Sequence, residues 1–377
     1  MAKVKKAAGI ILSDKELLKK YKSGIASTIC LSSDQTLQLP SRILPLNYQL
    51  GGGVSYGKII EAYGQESSGK SLMAMDFVAA AQSLGGVGLW ADAEGTFTGY
   101  WAEQNGLDLD KLYLLPNENA VEIISDWQAD MIITARSKLL NNEPIVLVVD
   151  STAALECFEN INSSQSESKA EMGNRAKAIY KMFRMRNNLY SRYGVIPFYI
   201  NQLRQKVGAS KFEDPDTTPG GAAMKFYASY RLGLYTGKQI KGGPYDERIG
   251  QNVHIRVKKN KMAPPKPTLH TQVFFDSEFT GTLGYHRYIG LPEIFQREGV
   301  LKKKGSIWLY KDKTIAKSEE KLLRVLEEDE ELRRKLIKRS GINTISKTRA
   351  KLESIGKNLY PVSQNKLKKN ASEETAE

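Results

Sequence analysis

One short segment, residues 64–71, constrains the fold of this 377-residue chain more than any other feature. It reads GQESSGKS and fits the pattern GxxxxGK[ST]. The segment directly follows the apolar run KIIEAYG (58–64) and precedes SLMAMDFVAAAQSLG (71–85), in which apolar residues recur at helical spacing. This context predicts a phosphate-binding loop between a strand and a helix. The alternative, a chance glycine-rich turn, rarely has both of these neighbours.

The residues of this loop suit the binding of a nucleoside triphosphate. Successive backbone N–H groups and the helix N-terminus face the β-phosphate, and glycine lets the phosphate approach closely. Lys70 is predicted to bridge the β- and γ-oxygens, and Ser71 to ligate magnesium. The predicted cofactors are therefore a nucleoside triphosphate and Mg²⁺. The predicted nucleotide contacts comprise the whole loop: Gly64, Gln65, Glu66, Ser67, Ser68, Gly69, Lys70 and Ser71.

Two further acidic residues follow runs that predict strands. PIVLVVDS (144–151) is a continuous apolar run that delivers Asp150 to the carboxyl edge of a parallel sheet, where a nucleotide lies. Asp150 is predicted to hold magnesium through the ion's water shell. The alternative is that Asp150 only caps a loop. Ser151 could orient the side chains next to it. Glu94 follows the run VGLWAD (87–92) and is either the general base for the attacking water or a surface acid.

Strand-like and helix-like runs alternate from about residue 40 to about residue 275. The remaining strand-like runs are VIPFYIN (195–201), YRLGLYTG (230–237) and HIRVKK (254–259). This alternation predicts an α/β fold with a mostly parallel central sheet covered by helices.

The two ends of the chain differ from this core. Residues 1–36 contain a short predicted helix at 14–24, followed by a Ser/Thr-rich link. The core then spans residues 37–280, and residues 281–345 form a small C-terminal domain. Residues 346–377 are polar and rich in lysine, which predicts a basic, disordered tail.

Charge, hydrophobicity and the few cysteines and histidines exclude several classes of protein. The net charge is +13, and residues 301–370 alone carry 20 Lys and Arg against 9 Asp and Glu, which indicates either a polyanion partner or a soluble charged surface. No apolar run is long enough for a membrane span. Cys30 and Cys157 cannot build a disulfide framework, and the three histidines lack zinc-ligand spacing. With no signal-peptide pattern at the start, we expect a cytoplasmic protein.

Six segments of the chain carry a more specific pattern: GQESSGKS, WADAEGTF, VVDSTAALE, YINQLRQKVG, TTPGGAAMKFYASYRL and VKKNKMAPP. They occur in the order found in the RecA family of bacterial and phage DNA strand-exchange recombinases, and from about residue 40 to about residue 280 the sequence shows a clear resemblance to that family. It implies a RecA-like P-loop ATPase core with a small N-terminal helical segment for oligomerisation and a small C-terminal α/β domain. It also implies a helical filament on single-stranded DNA that pairs with homologous duplex DNA, exchanges strands and hydrolyses ATP in recombination and repair.

The resemblance implies roles for residues outside the phosphate loop. Glu94 matches the family's catalytic glutamate, and Gln202 matches the glutamine that senses the γ-phosphate. Trp101 matches an aromatic residue that stacks on adenine, although Trp101 or Tyr100 could equally belong to the core. Lys259 and Lys261 match lysines that reach the γ-phosphate of the neighbouring protomer's ATP, whereas on sequence alone they read as exposed edge lysines.

Two segments without core periodicity resemble the family's DNA-binding loops, and otherwise read as disordered surface loops. They span about residues 159–172 and 205–220. Aromatic or apolar residues wedge between bases, glycine N–H groups contact phosphates, and basic side chains supply charge. The predicted DNA contacts are Met172, Lys177, Arg184, Arg204, Val207, Phe212, Gly220 and Gly221.

The sequence also departs from the family. Thr98 stands where the family tends to have an acid, and the tail KLKKNASEETAE is not strongly acidic. Two other functions share a P-loop core: a ring-forming DNA helicase or motor, and a single-stranded-DNA-binding filament mediator that does not hydrolyse ATP. Glu94 together with Asp150 argues against the second.

Overall fold

The computed structural model describes most of the chain. The described residues are 37–139, 142–161, 169–205, 216–220, 223–242, 245–277, 281, 283–355 and 359–360. The chain divides into two compact units, Met1–Leu37 and Gln38–Glu377. Only Leu37 of the first unit is described, so the helix predicted at 14–24 lies outside the described residues.

The second unit alternates strands and helices along most of its length. Its strands are β1 (Gln38–Leu39), β2 (Val54–Ser55), β3 (Ile60–Gly64), β4 (Val87–Asp92), β5 (Leu112–Leu115), β6 (Ile145–Asp150), β7 (Val195–Gln202), β8 (Arg204–Gln205), β9 (Asp216–Thr217), β10 (Tyr230–Gly242), β11 (Glu247–Asn260), β12 (Leu269–Phe274), β13 (Gly284–Tyr285), β14 (Lys302–Lys304), β15 (Ile307–Tyr310) and β16 (Lys313–Ala316). Its helices are α1 (Leu44–Leu50), α2 (Lys70–Ser83), α3 (Gly99–Gln104), α4 (Val121–Lys138), α5 (Phe158–Ile161), α6 (Lys169–Tyr193), α7 (Ala223–Tyr227), α8 (Leu291–Arg297), α9 (Glu319–Glu328), α10 (Glu330–Ser340) and α11 (Ile345–Ile355).

A nine-stranded sheet forms the centre of this unit, in the order β13-β12-β11-β10-β3-β7-β6-β4-β5. The neighbours from β10 to β5 pair in parallel, and the pairs β10–β11, β11–β12 and β12–β13 are antiparallel. Every residue of β6 is buried, as its continuous apolar run predicts for a strand covered on both faces. The predicted α/β fold with a mostly parallel central sheet is confirmed.

Helices cover both faces of the sheet. Two successive residues of β7 point to opposite layers, because side chains alternate along a strand. Phe198 contacts Phe77 of α2, with ring centroids 5.7 Å apart. Tyr199 contacts Phe183 of α6 at 4.8 Å on the other face. The layer that includes α4 and α6 forms one continuous apolar core with the strands.

The parallel arrangement brings four strand ends to one edge. The register pairs Gly64 with Gln202 and Asp92 with Asp150, so the carboxyl ends of β3, β7, β4 and β6 lie side by side. A ligand site in an open α/β sheet lies at this edge. The edge carries the phosphate-loop sequence and the acidic residues predicted to act with it.

The C-terminal part has its own small core. Strands β14, β15 and β16 form an antiparallel sheet, and its buried Trp308 packs with apolar residues of α8, α9 and α10. Helix α11 occupies residues assigned from sequence to the disordered tail, and its Leu352 is buried. Disorder is therefore the wrong prediction for residues 346–355, because one side of this polar helix is buried at Thr348 and Leu352. Residues 361–377 lie outside the described residues.

None of the helices described is long and apolar enough to cross a lipid bilayer.

Candidate functional site

The phosphate loop is shaped by two glycines. A Cβ on Gly64 would lie 2.3 Å from the carbonyl oxygen of Leu234 on the neighbouring strand, so only glycine fits there. Gly69 has a φ of +90° and stands at the N-cap of α2. A Cβ on Gly69 would lie 2.6 Å from the hydroxyl oxygen of Tyr285. These two positions explain in steric terms why the motif has glycine at its first and sixth places.

Distant segments hold the loop in place. The Gln251 side-chain amide donates to the carbonyl oxygen of Ser67 at 2.6 Å. The Tyr285 hydroxyl donates to the carbonyl oxygen of Gly69 at 3.1 Å. Burial raises the pKa of Tyr285, so this hydroxyl keeps its proton at physiological pH. Sequence reasoning missed both supporting residues.

Lys70 and Ser71 begin α2 and face the end of β6. Lys70 Nζ donates to the carbonyl oxygens of Gly64 at 3.3 Å and Gln65 at 2.6 Å. The Ser71 hydroxyl donates to Asp150 Oδ2 at 2.7 Å. The structure therefore brings together the predicted phosphate ligand and the two predicted magnesium ligands.

Burial shifts the charges of this site toward neutrality. It raises the pKa of Asp150 to about 6, with repulsion from Glu94 and Asp92 adding to the shift, and the Ser71 hydrogen bond and Lys70 opposing it. Burial also lowers the pKa of Lys70, against the attraction of nearby acids. A divalent cation would favour the ionised form of Asp150, and phosphate would favour protonated Lys70.

Glu94 is exposed beside Asp150. Its Oε1 accepts a hydrogen bond from the Ser151 hydroxyl, and its backbone N–H donates to the carbonyl oxygen of Asp150 at 3.1 Å. The buried carboxylate of Asp92 accepts from the backbone N–H groups of Thr96 at 3.2 Å and of Phe97 at 3.0 Å. Asp92 thus fixes the loop that carries Glu94, and Ser151 orients its carboxylate.

The donor set fits a nucleotide with Mg²⁺. The buried Ser68 hydroxyl has no hydrogen-bond partner among the described residues, as expected of a group that awaits a ligand. Ser71 and Asp150 offer oxygen ligands, and Mg²⁺ is usually held by one or two carboxylates with substrate phosphates and water. In the described part of the chain no group of three or more His, Cys, Asp or Glu side chains forms a metal site on its own.

Gln202 ends β7 directly beside the phosphate loop. Its Cα pairs in register with Gly64, and its backbone N–H donates to the side-chain oxygen of Asn201 at 3.0 Å. Trp101 and Tyr100 both lie on α3, where Trp101 is half-buried and Tyr100 is 74% exposed. Tyr100 is therefore not a core residue, and adenine stacking by Trp101 stays a prediction.

Lys259 and Lys261, the lysines predicted to reach the ATP of a neighbouring protomer, are called the trans lysines. Lys259 lies toward the edge of the sheet opposite to the carboxyl ends of the parallel strands. Lys259 pairs with Arg231, which pairs with Glu61, three residues before Gly64 on β3. Three strand residues span about 10 Å, and two strand spacings add about 9.6 Å sideways. Lys259 Nζ donates to the carbonyl oxygen of Lys225 at 2.7 Å. Burial and the nearby Lys261 and Arg231 lower the pKa of Lys259.

Helix α6 carries one basic face with an aromatic residue. Lys177 and Arg184, both predicted to contact DNA, are exposed on this helix and line a shallow cavity of about 390 Å³. Tyr180 and Lys181 line the same cavity. Sequence reasoning missed Lys181, although its spacing from Lys177 and Arg184 places all three on one helical face.

The second predicted DNA segment ends against this helix. Arg204 is exposed at its start, in the short ladder of β8 with β9. A Cβ on Gly220, at its end, would lie 3.5 Å from Ile179 of α6. Val207, Phe212 and Gly221 lie outside the described residues, and of Met172 only its position in α6 is described.

Comparison with known proteins decides the family. The model of the RecA N-terminal domain matches residues 14–280 of this chain. The chain belongs to the RecA family.

Curated members of the RecA family align over most of the chain. The protein RecA of Bifidobacterium longum is 33% identical over 327 residues, which cover 86% of this chain and 78% of the relative. The protein RecA of Lactobacillus johnsonii is 34% identical over 352 residues, or 91% and 92% of the two chains. The protein RecA of Thermus thermophilus is 33% identical over 312 residues, or 80% and 85%. The resemblance deduced from motifs is confirmed, and it extends beyond the core into the C-terminal part.

Proposed function

We propose that this chain is a DNA-dependent ATPase of the RecA family that forms helical filaments on single-stranded DNA and catalyses homologous pairing and strand exchange. The observation that carries the proposal is the hydrogen bond of 2.7 Å between Ser71 and Asp150 at the carboxyl edge of the sheet, beside Lys70. These three residues offer a divalent cation and a triphosphate their usual ligands in one place.

Hydrolysis requires a group that accepts the proton of the attacking water. Glu94 is exposed at the site and is held by Ser151, so it can act as this general base. Lys70 can supply charge to the β- and γ-phosphate oxygens, and Ser71 and Asp150 would hold Mg²⁺, which would add further charge compensation. Gln202 is the proposed γ-phosphate sensor because its backbone is adjacent to the phosphate loop.

Single-stranded DNA is the proposed ligand of α6 and the two predicted DNA segments. Lys177, Lys181 and Arg184 offer positive charge along one helix face, and Tyr180 offers a ring for stacking. Gly220 lies against the same helix. Homologous duplex DNA is the second proposed partner, and the chain itself is the third, as a helical filament.

A contact between Lys259 and the ATP of a neighbouring protomer would explain why Lys259 lies far from the phosphate loop of its own chain. Lys259 is remote from the phosphate loop of its own chain, because it pairs with Arg231, which in turn pairs with Glu61. Lys261 follows two residues later, and its backbone N–H donates to the carbonyl oxygen of Ser229 at 3.1 Å. A neighbouring protomer in a filament can bring its ATP to them. Hydrolysis would then depend on assembly, because cations from the partner stabilise the charge that develops on the γ-phosphate.

Single-stranded DNA should stimulate ATP hydrolysis, and ATP with a homologous duplex should give strand-exchange products. A labelled-duplex exchange assay together with phosphate release tests both activities. Hydrolysis without any strand exchange would instead support the ring-forming motor. Electron microscopy with a slowly hydrolysed ATP analogue separates these functions further, because the recombinase forms helical filaments and the motor forms closed rings.

A further inference from the structure

Glu61 is a fully buried carboxylate that none of the roles above uses. It lies on β3, three residues before Gly64, and its exposed fraction is 0%. An ionised carboxylate is unfavourable in a sheet interior unless charged and hydrogen-bonding partners compensate for the lost water. The partners of Glu61 come from separate functional segments of the chain.

Asn201 is the first partner and connects Glu61 to nucleotide and DNA segments. Its side-chain Nδ2 donates to Glu61 Oε1 at 3.0 Å and to the carbonyl oxygen of Pro219 at 3.2 Å. Its Oδ1 accepts from the backbone N–H of Gln202 at 3.0 Å. One amide therefore fixes the end of β7, where γ-phosphate sensing is proposed, and the end of the second DNA segment. Asn201 is itself completely buried.

Arg231 is the second partner and connects Glu61 to the proposed protomer interface. Its Nε donates to Glu61 Oε2 at 2.5 Å, and its guanidinium lies 4.9 Å from the ring centroid of Tyr63. Arg231 pairs across the antiparallel ladder with Lys259, one of the proposed trans lysines. Each oxygen of Glu61 is thus occupied by a different partner, so displacement of either partner disturbs the other.

We propose that Glu61 is a positioning residue that keeps the sensing end of β7, the end of the second DNA segment and the interface strand β10 in one arrangement, and thereby couples bound ATP to DNA affinity. The proposal rests on the proposed function. In this arrangement, movement of Gln202 shifts Asn201, and Asn201 acts on Pro219 directly and on Arg231 through Glu61. Glu61 contacts neither nucleotide nor DNA.

The conservative variant Glu61→Gln tests the proposal in the full chain. It keeps the shape of the side chain and an oxygen for Asn201, but removes the charge that holds Arg231. The measured quantity is the ratio of single-stranded-DNA affinity with a slow ATP analogue to the affinity without nucleotide. We expect this ratio to fall by about tenfold, within the range typical of coupling between two sites. DNA-stimulated kcat should fall more than the KM for ATP changes.

Asp76→Asn is the matched control. Asp76 is a buried carboxylate on α2 that pairs with Arg42 at 2.9 Å, so its replacement also breaks a buried acid–arginine pair. A merely structural role for Glu61 predicts that both variants lose stability alike and keep the coupling ratio. We expect the ratio to fall in Glu61→Gln alone.

The outcomes separate this proposal from the proposed function. If the wild-type chain shows no ATP-dependent DNA binding, the proposed function and this proposal both fail. If the wild type is coupled and Glu61→Gln keeps the wild-type ratio, only the role of Glu61 is overturned. Should Glu61→Gln fail to fold, Glu61→Gln/Arg231→Gln removes the unpaired guanidinium as well. Retained coupling in that double variant would equally contradict the proposal.

Discussion

Glu94 is the proposed general base, so its replacement should separate ATP binding from ATP hydrolysis. It accepts a hydrogen bond from Ser151, whereas Lys70 is held by loop carbonyls and Ser71 by Asp150, so the loss of Glu94 leaves both in place. We predict that Glu94→Gln lowers DNA-stimulated hydrolysis by about 10²- to 10⁴-fold, the usual contribution of a general base, with nucleotide affinity nearly unchanged. Phosphate release and fluorescent-nucleotide binding measure the two effects. Glu103→Gln, an exposed acid of α3, is the control, and rapid hydrolysis by Glu94→Gln would exclude the assigned role.

His254 links stability to pH. Burial and the facing His270 lower the pKa of His254, and the two Nδ1 atoms are 2.6 Å apart, which requires at least one neutral ring. The unfolded state therefore binds a proton more readily than the folded state. We predict that the contribution of His254 to the free energy of unfolding is fully present above the ordinary histidine pKa of about 6.5. This contribution is lost as the pH drops through the lower pKa that His254 has in the folded state.

Thermal unfolding between neutral and mildly acidic pH tests this prediction. The variant His254→Gln should lose less stability on acidification than the wild type, because it has no titrating ring at this position. His286, whose pKa burial also lowers, is present in both proteins and cancels in the comparison. Parallel curves for the two proteins would show that His254 does not contribute.

At the scale of elements, the turn between β3 and α2 depends on the backbone of Gly69. We predict that Gly69→Ala weakens nucleotide binding, because alanine is strained at a φ of +90° and its Cβ collides with Tyr285. Gly299→Ala is the matched control, since Gly299 also has a positive φ but nothing within 4 Å of an added Cβ. In both variants, alanine in the left-handed backbone conformation should lower the free energy of unfolding by about 1–2 kcal/mol.

Nucleotide titration and chemical unfolding distinguish the two glycine variants. Gly299→Ala should bind nucleotide like the wild type, whereas Gly69→Ala should bind it more weakly than its loss of stability explains. Equal nucleotide affinity in the two variants would mean that the loop tolerates the Cβ by moving Tyr285.

Most strands of the central sheet could be predicted from sequence, but β5 and β12 could not. Strand β6 is apolar throughout and ends in Asp150, so both its position and its functional residue were accessible. Strand β5 has four residues and none fully buried, and β12 interrupts its apolar residues with His270 and Gln272, so neither gave a signal. Burial of both faces leaves a pattern in the sequence that a partly exposed strand lacks.

The residues of the candidate site likewise divide into those that could be predicted from sequence and those that could not. The loop, Asp150 and Glu94 follow strands in recognisable local patterns. The supports Gln251 and Tyr285 approach the loop from 184 and 216 residues away in the sequence, and no local pattern marks such contacts. Glu61 was similarly hidden, because its partners Asn201 and Arg231 meet it only through the sheet register.

At the scale of the whole molecule, the proposed ATP site and the proposed trans lysine Lys259 lie toward different edges of one sheet. Lys70 lies at the carboxyl edge, and Lys259 lies beyond Arg231 toward the opposite edge. In the proposed filament, a single chain would present its phosphate loop to one neighbour and its trans lysines to another. This polarity is what a head-to-tail filament requires, because a heterologous interface joins two different surfaces.

Mixing two inactive variants tests this shared site most directly. Lys70→Ala removes the phosphate lysine and keeps the trans lysines, whereas Lys259→Ala/Lys261→Ala keeps the phosphate loop. We predict that each variant alone lacks DNA-stimulated hydrolysis, and that their mixture recovers part of it where an intact loop meets intact lysines. The matched control mixes Lys70→Ala with the triple variant Lys70→Ala/Lys259→Ala/Lys261→Ala, which contains no complete site. If mixed filaments form without any recovered hydrolysis, or if the double lysine variant alone hydrolyses ATP like the wild type, the shared-site mechanism is contradicted.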